Sequence, residues 1–290
     1  MSFLYPACLG ILSLGFLIAE RLFPLRAQKQ LRKRFVWDLV YLIFNGHFLG
    51  VILAGIASQR LLPHLDRWLG QHGMISPIYR NAASHWPVWL QVIVALLAVD
   101  FLQWCVHNLL HRVGFLWQFH QIHHSVADGE MDWIVSFRFQ WAEVVVYKSL
   151  LYLPLAFFGF GPAAMMFHAI FGTLVGHLNH ANLDVGHGAW RYVLNSPRMH
   201  IWHHNYDAES KTTVNFGIIF SLWDWLFRTA YLPAQPPMRI GFRGEELLPP
   251  DFFGQVLWPL PRLLPRTRLA GVLAGAAGAA LLALGFWLTR

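Results

Sequence analysis

The sequence predicts an all-α fold, a polytopic bundle of membrane helices with a histidine-rich helical cap at its cytoplasmic face. Three observations carry that prediction. Of 290 residues, 56% are hydrophobic and only 13% are charged, a balance typical of membrane chains. Several apolar runs approach the ~20 residues that cross a bilayer. Finally, the stretch HNLLHRVGFLWQFHQIHH at 107–124 concentrates histidines in an otherwise greasy chain, and imidazoles are costly to bury without partners.

Taken in order, Phe3–Glu20 is the first spanning helix. It lacks a basic leader and an A-x-A cleavage site, so it is expected to be an uncleaved anchor. Arg21, Arg26, Lys29, Arg32, Lys33 and Arg34 follow it directly, and by the positive-inside rule they hold the 21–35 loop in the cytoplasm. Trp37–Ala57 is the second span, and residues 58–87, with Pro63, Pro77 and Trp86, form a short external connection. Val88–Val106 then returns inward and delivers the histidines to the cytoplasmic side. The shorter apolar runs Val144–Phe158 and Ala163–Gly176 meet at Gly159-Phe160-Gly161-Pro162 and form a helical hairpin. Residues 233–268, rich in proline and aromatics, lie along the cytoplasmic interface, where Arg262, Arg266 and Arg268 precede a last span at Leu269–Leu288. The GVLAG within it fits close helix packing. Within one membrane domain, this gives N-terminal helices and a loop at 1–87, a catalytic segment at 88–232, and an interfacial segment with a final helix at 233–290.

The net charge of +7 raises nucleic acid as a partner, but the basic residues flank spans rather than cover one soluble surface. Orientation and anionic headgroups account for them. The cysteines Cys8 and Cys105 both sit inside apolar runs, which disfavours a disulfide framework, an iron–sulfur cluster and a CxxC redox pair.

The chemistry lies between Asp100 and Trp225. His107 and His111 are one helical turn apart and share a face. His120, His123 and His124 have the i, i+3, i+4 spacing that gathers side chains on one stripe, and His200, His203 and His204 repeat it. Between them His177 and His180 again share a face. Ten histidines in this spacing point to metal, because neutral imidazole is the commonest biological metal ligand. The set exceeds the four ligands of one tetrahedral ion and suits two metals with about five imidazoles apiece. Ligand type alone leaves zinc, copper, iron and nickel open.

With these motifs in view, the chain resembles the fatty acid hydroxylase/sterol desaturase superfamily of integral membrane di-iron enzymes. HNLLH matches the first histidine box of that family, HQIHHS the second and HIWHHN the last, while His180 in NHANL takes the place of the intermediate histidine. VNFG at Val214–Gly217, with Asn215 in it, and the Asp224 beyond resemble the segment that follows the last box. Arg138 and Glu143 resemble the arginine/glutamate pair after the second; Gln140 stands where many relatives have histidine. The resemblance implies a metal set of His107, His111, His120, His123, His124, His177, His180, His200, His203 and His204, with His187 an alternative to His177. It also implies two iron ions, dioxygen as co-substrate, and a lipid or sterol-like substrate taken from the bilayer. Hydroxylation and desaturation share these motifs; hydroxylation is favoured because it positions one C–H rather than two. With no dinucleotide fingerprint or cytochrome-like domain in the sequence, electrons are expected from a separate reductase or carrier.

Carboxylates are expected to orient the ligands. Asp100 lies two helical turns before His107 and is placed to accept an N–H from it, and Glu143, Asn215 and Asp224 are further candidates. Asp184 fits a salt bridge or cap. His168 sits in the hairpin, where a hydrogen-bonded core role competes with contact to the site, and His47, His64, His72 and His85 read as interfacial or loop residues. Trp117, Trp133, Trp202, Trp223 and Trp225 read as interface anchors. Three other functions compete: a zinc-dependent membrane hydrolase, weakened by the absence of HExxH; a haem-binding electron-transfer protein, weakened by the adjacent HH pairs; and a metal transporter, whose ligands belong near the midplane.

Overall fold

The fold is known from a computed structural model that describes residues 3–29, 31–73, 81–126, 129–208 and 213–263. The last span predicted from the sequence, with its GVLAG, lies outside the described residues. Those residues form helices and a few isolated bridges, without a strand.

Among the described residues, three helices are long and apolar enough to cross a membrane: α1 at Leu4–Leu22, a continuous helix over Phe35–Gln71, and α5 at Val88–Arg112. The second of these is built from α2 (Phe35–Ile43), α3 (Leu49–Ile56) and α4 (Leu62–Gln71), joined by π-helical turns at Phe44–Phe48 and Ala57–Leu61. The external connection expected to begin at residue 58 therefore starts about fourteen residues late, at His72. Pro63 lies within this helix, directly after the π-helical turn at Ala57–Leu61, and does not end it.

The expected hairpin is α7 (Trp141–Phe157) and α8 (Pro162–His180). Its tip packs on the opposite end of the molecule from the histidines. The Gly161 N–H donates to Gln91 Oε1 at 2.6 Å, near the start of α5, and Ala83 N donates to Phe158 O at 2.8 Å. Gly159 has φ +78° and lies so close to Asn81 that a Cβ would meet its Cα at 2.7 Å, so only glycine closes this turn.

At the other end the chain folds the boxes onto one another. Val113, in an extended conformation, separates α5 from α6 (Gly114–His124). The bend lays the second box back against the first. The last box lies on α9 (Pro197–His203), started by a Ser196 cap whose Oγ accepts from Met199 N and by Pro197 in the first turn, a favoured helix opening. The short helices α10 (Leu222–Leu226), α11 (Phe252–Leu257) and α12 (Leu260–Leu263) complete the cap. The basic loop after α1 is stitched to this same end: Leu25 N donates to Asn182 O at 2.9 Å and Arg26 N to Asn182 Oδ1 at 3.1 Å.

Candidate metal centre

Nine of the ten predicted ligands converge. Their ring nitrogens form two buried groups, His107, His111, His120, His124 and His203 in one, and His123, His180, His200 and His204 in the other, with the nitrogens of each group within 4.8 Å of one another. Helix periodicity explains the division. Successive helical residues are about 100° apart, whereas i and i+4 nearly superpose. On α6, His120 and His124 therefore face the first group while His123 turns to the second. On α9 the assignment reverses, His200 and His204 facing the second group and His203 the first. The H-x2-HH motif is thus not one stripe, as its spacing alone suggests, but a divided pair of faces. α5 adds His107 and His111 to the first group, and α8 adds His180 to the second.

The donor atoms fit cations. His107 Nδ1 donates to Phe216 O at 2.8 Å and His120 Nδ1 to Glu143 Oε1 at 2.7 Å, so both Nε2 atoms present lone pairs, yet they face each other at 3.2 Å. His203 Nδ1 likewise donates to Val214 O at 2.8 Å, and its Nε2 lies 3.1 Å from that of His111. In the second group His180 Nδ1 donates to Gly176 O, and its Nε2 sits 3.1 Å from the Nε2 of both His123 and His200. One lone pair does not accept from both. Such spacings are those of neighbouring ligands on one ion, which lie about 3 Å apart when each is ~2.1 Å from the metal. Buried nitrogens of His124 and His204 have no hydrogen-bond partner, which a bound cation would satisfy.

Burial, and after it the neighbouring imidazoles, hold His120, His123, His124, His200, His203 and His204 well below the ordinary imidazole range. They are neutral at pH 7, the form that ligates.

The tenth candidate stands apart. Both nitrogens of His177 face serines, Nδ1 toward Ser136 Oγ at 2.6 Å and Nε2 toward Ser13 Oγ at 3.4 Å, and its ring packs against Trp133, Phe16 and Phe137. Helical spacing put it on the face of His180, but α1 covers it. His187, at φ +55° in a loop, joins neither group. His168 is a buried hairpin residue against Tyr152 Oη at 3.2 Å.

Of the carboxylates, Glu143 touches a ligand ring, as above. Asp100 does not. It accepts from Ile219 N, Phe220 N and Trp223 Nε1 at 2.8 to 3.0 Å, because the chain after the last box lies against α5. Asp224 accepts from Phe216 N and Gly217 N at 2.9 and 2.8 Å. Both acids act one step further out, fixing the strip whose Phe216 and Val214 carbonyls orient His107 and His203. Asn215, at φ +59°, braces that strip through Met199 O and Tyr231 O. Asp184 pairs with Arg198.

Aromatic residues wall the centre. Phe139 stacks on His123 with centroids 4.4 Å apart, and the half-buried Trp117 packs beside His111 and His124. Trp133 is buried. Residues 233–263, read from the sequence only as an interfacial stretch, contribute Gly241, Phe242 and Arg243 to a cavity of about 270 Å³ that reaches His111, His124 and His203. No spacing rule marks such residues.

Comparison with known proteins points the same way. The fatty acid hydroxylase family model matches residues 92–229. An ornithine lipid hydroxylase of Rhizobium tropici is 30% identical over 180 residues, 62% of this chain and 53% of that protein. Alkylglycerol monooxygenases of Xenopus tropicalis and Homo sapiens are 28% and 29% identical over 54% and 47% of this chain. The chain spans about half the length of the first of these and a third or less of the other two, at 53%, 33% and 29%. No solved structure matches it.

Proposed function

From the match to the fatty acid hydroxylase family model over residues 92–229 and the similarity to a lipid hydroxylase and alkylglycerol monooxygenases, we propose that the chain belongs to the fatty acid hydroxylase/sterol desaturase superfamily and is a membrane di-iron oxygenase that uses dioxygen to hydroxylate a lipid C–H bond. The observation that carries this reading is the division of nine buried imidazoles into groups of five and four whose lone pairs converge. Iron, when bound, supplies the redox chemistry that cleaving dioxygen requires and that zinc lacks. His107, His111, His120, His124 and His203 hold one ion; His123, His180, His200 and His204 hold the other. Glu143 keeps a proton on His120 Nδ1, and the carbonyls of Phe216, Val214 and Gly176 do the same for His107, His203 and His180, leaving each Nε2 free to ligate. Phe139, Trp117 and Phe216 exclude water that would quench the oxidant.

A group of five imidazoles exceeds what a zinc hydrolase uses. Nitrogens 3.1–3.2 Å apart are also closer than the ~4 Å that separates opposed axial ligands of a haem, twice a ~2 Å metal–nitrogen bond. The relatives' names, an ornithine lipid hydroxylase and alkylglycerol monooxygenases, support an ornithine-type lipid and an alkylglycerol as the first substrates to test. Electrons come from a separate donor, and the active site faces the cytoplasm, the side to which the basic loop directs it.

The test is to supply membranes containing the protein with ¹⁸O-labelled dioxygen, reductant, and either an ornithine-type aminolipid or an alkylglycerol. One labelled oxygen atom in the product is expected. An unsaturated product without label would replace hydroxylation by desaturation, and zinc without iron in anaerobically purified protein would overturn the reading.

A further inference from the structure

Away from the imidazoles, four charged side chains are buried together. Arg32 Nη2 contacts Asp38 Oδ2 at 2.5 Å and Asp132 Oδ1 at 2.8 Å, and Arg138 Nη1 pairs with Asp38 Oδ1. Asp38 and Arg138 are both 0% exposed. Two positive and two negative groups balance, so the cluster is neutral as a unit, but each member depends on the others because an unpaired buried charge is strongly destabilising.

Arg138 uses its Nε on the helix that carries the second box and its Nη2 on α11. Its Nε donates to Ile122 O at 3.0 Å and to Ser125 Oγ at 3.1 Å, and Nη2 donates to Gln255 Oε1 at 2.9 Å. Ile122 belongs to the last turn of α6, where a cation complements the helix dipole, and its carbonyl accepts from Ser125 N and Oγ as well as from Arg138. The guanidinium also lies over the Tyr41 ring, 5.5 Å from its centroid. From the same face of the Phe35–Gln71 helix, Asn45 Nδ2 donates to Phe137 O and Phe139 O, both at 2.9 Å. The 137–139 segment, including the ring that stacks on His123, is thus held from the Phe35–Gln71 helix as well.

The rotation of α6 matters more than its mere presence. His123 and His124 are adjacent and serve different groups, their ring planes 85° apart, so a small rotation of this turn misplaces a ligand in both groups at once. We propose that Asp38 is a positioning residue of the metal centre, which through Arg138 sets the rotation of α6 and thereby keeps His123 and His124 in their separate groups. This rests on the di-iron reading above. Asp38 lies far from the histidine boxes in sequence, a lone acid in the apolar run Trp37–Ala57.

The experiment compares wild-type protein, Asp38→Asn, the double variant Asp38→Asn/Gln255→Glu and the control Leu42→Ala, each purified in detergent and loaded anaerobically with ⁵⁷Fe. Iron per chain and the Mössbauer quadrupole splitting are read beside the melting temperature. Asp38→Asn is expected to hold less than half of the wild-type iron, with altered splitting. Gln255→Glu, which places a carboxylate against Arg138 from the other side, is expected to restore both. Leu42, a packed residue on the same helix, should on truncation lower the melting temperature while leaving iron and splitting unchanged. Wild-type iron and splitting in Asp38→Asn, absence of rescue in the folded double variant, or iron loss in Leu42→Ala parallel to its lost stability would each overturn the proposal. Should Asp38→Asn not accumulate, Asp38→Glu is read instead: retained iron with shifted splitting supports the positioning role, and unchanged splitting refutes it. A wild-type protein that takes up no iron removes the di-iron reading itself, a distinct result.

Discussion

His177 and His180 lie three residues apart on one helix, yet one faces two serines and the other a cluster of imidazoles. Replacing His123 or His203 with alanine is therefore expected to abolish turnover and lower bound iron, whereas His177→Ala should retain iron and cost only the ~1 kcal/mol of a buried hydrogen bond plus some packing. Iron analysis of the purified variants separates the two cases. The depressed imidazoles also make a pH prediction for the metal-free protein. Above the ordinary imidazole value of about 6.5, folded and unfolded chains are both neutral and stability is at its full value. As pH falls below it, the unfolded chain binds protons that the buried rings refuse, and each such ring removes up to ~1.4 kcal/mol per pH unit. Six cap histidines behave this way, so the melting temperature in detergent should drop steeply between pH 6.5 and 5. A flat profile would mean that these rings are solvated.

At the scale of elements, the strip from Val214 to Asp224 works as a template behind the first group. Its carbonyls fix His107 and His203, Asp224 and Asp100 fix the strip, and Gly217 lets it double back, since a Cβ there would meet Phe220 O at 2.3 Å. Gly217→Ala should therefore displace the strip, cost on the order of 3 kcal/mol as an overpacking change does, and weaken metal retention although the residue touches no ligand. Dialysis against a chelator, followed by iron analysis, measures this. The VNFG motif was visible in the sequence, but not why it matters: a glycine's contact across three residues depends on the turn that brings them together.

At the scale of the molecule, the basic loop and the histidines share one end, and the hairpin tip and residues 81–86 share the other. In a background lacking Cys8 and Cys105, cysteines placed at the exposed positions Ala27 and Ala189 should react with an impermeant reagent only from the cytoplasmic side. A cysteine at the exposed His85 should react only from outside. Labelling of Ala27 and His85 positions from the same side would overturn this topology.

Local rules were enough for the sequence by itself to indicate the helical membrane architecture, the hairpin and nine of the histidines that cluster, because apolar run length and 3.6-residue periodicity are local properties. Tertiary structure alone decided which group each histidine joins, since His123 and His124 differ only in the direction that α6 presents to its neighbours. The same holds for the exclusion of His177 by α1, the diversion of Asp100 to the 219–223 backbone, and the pairing of Asp38 with Arg138 across 100 residues. These depend on long-range packing, in which a buried polar group takes whichever partner the assembled fold brings within hydrogen-bonding distance. Spacing along a chain places side chains on a face, but what that face meets is set by elements distant in sequence.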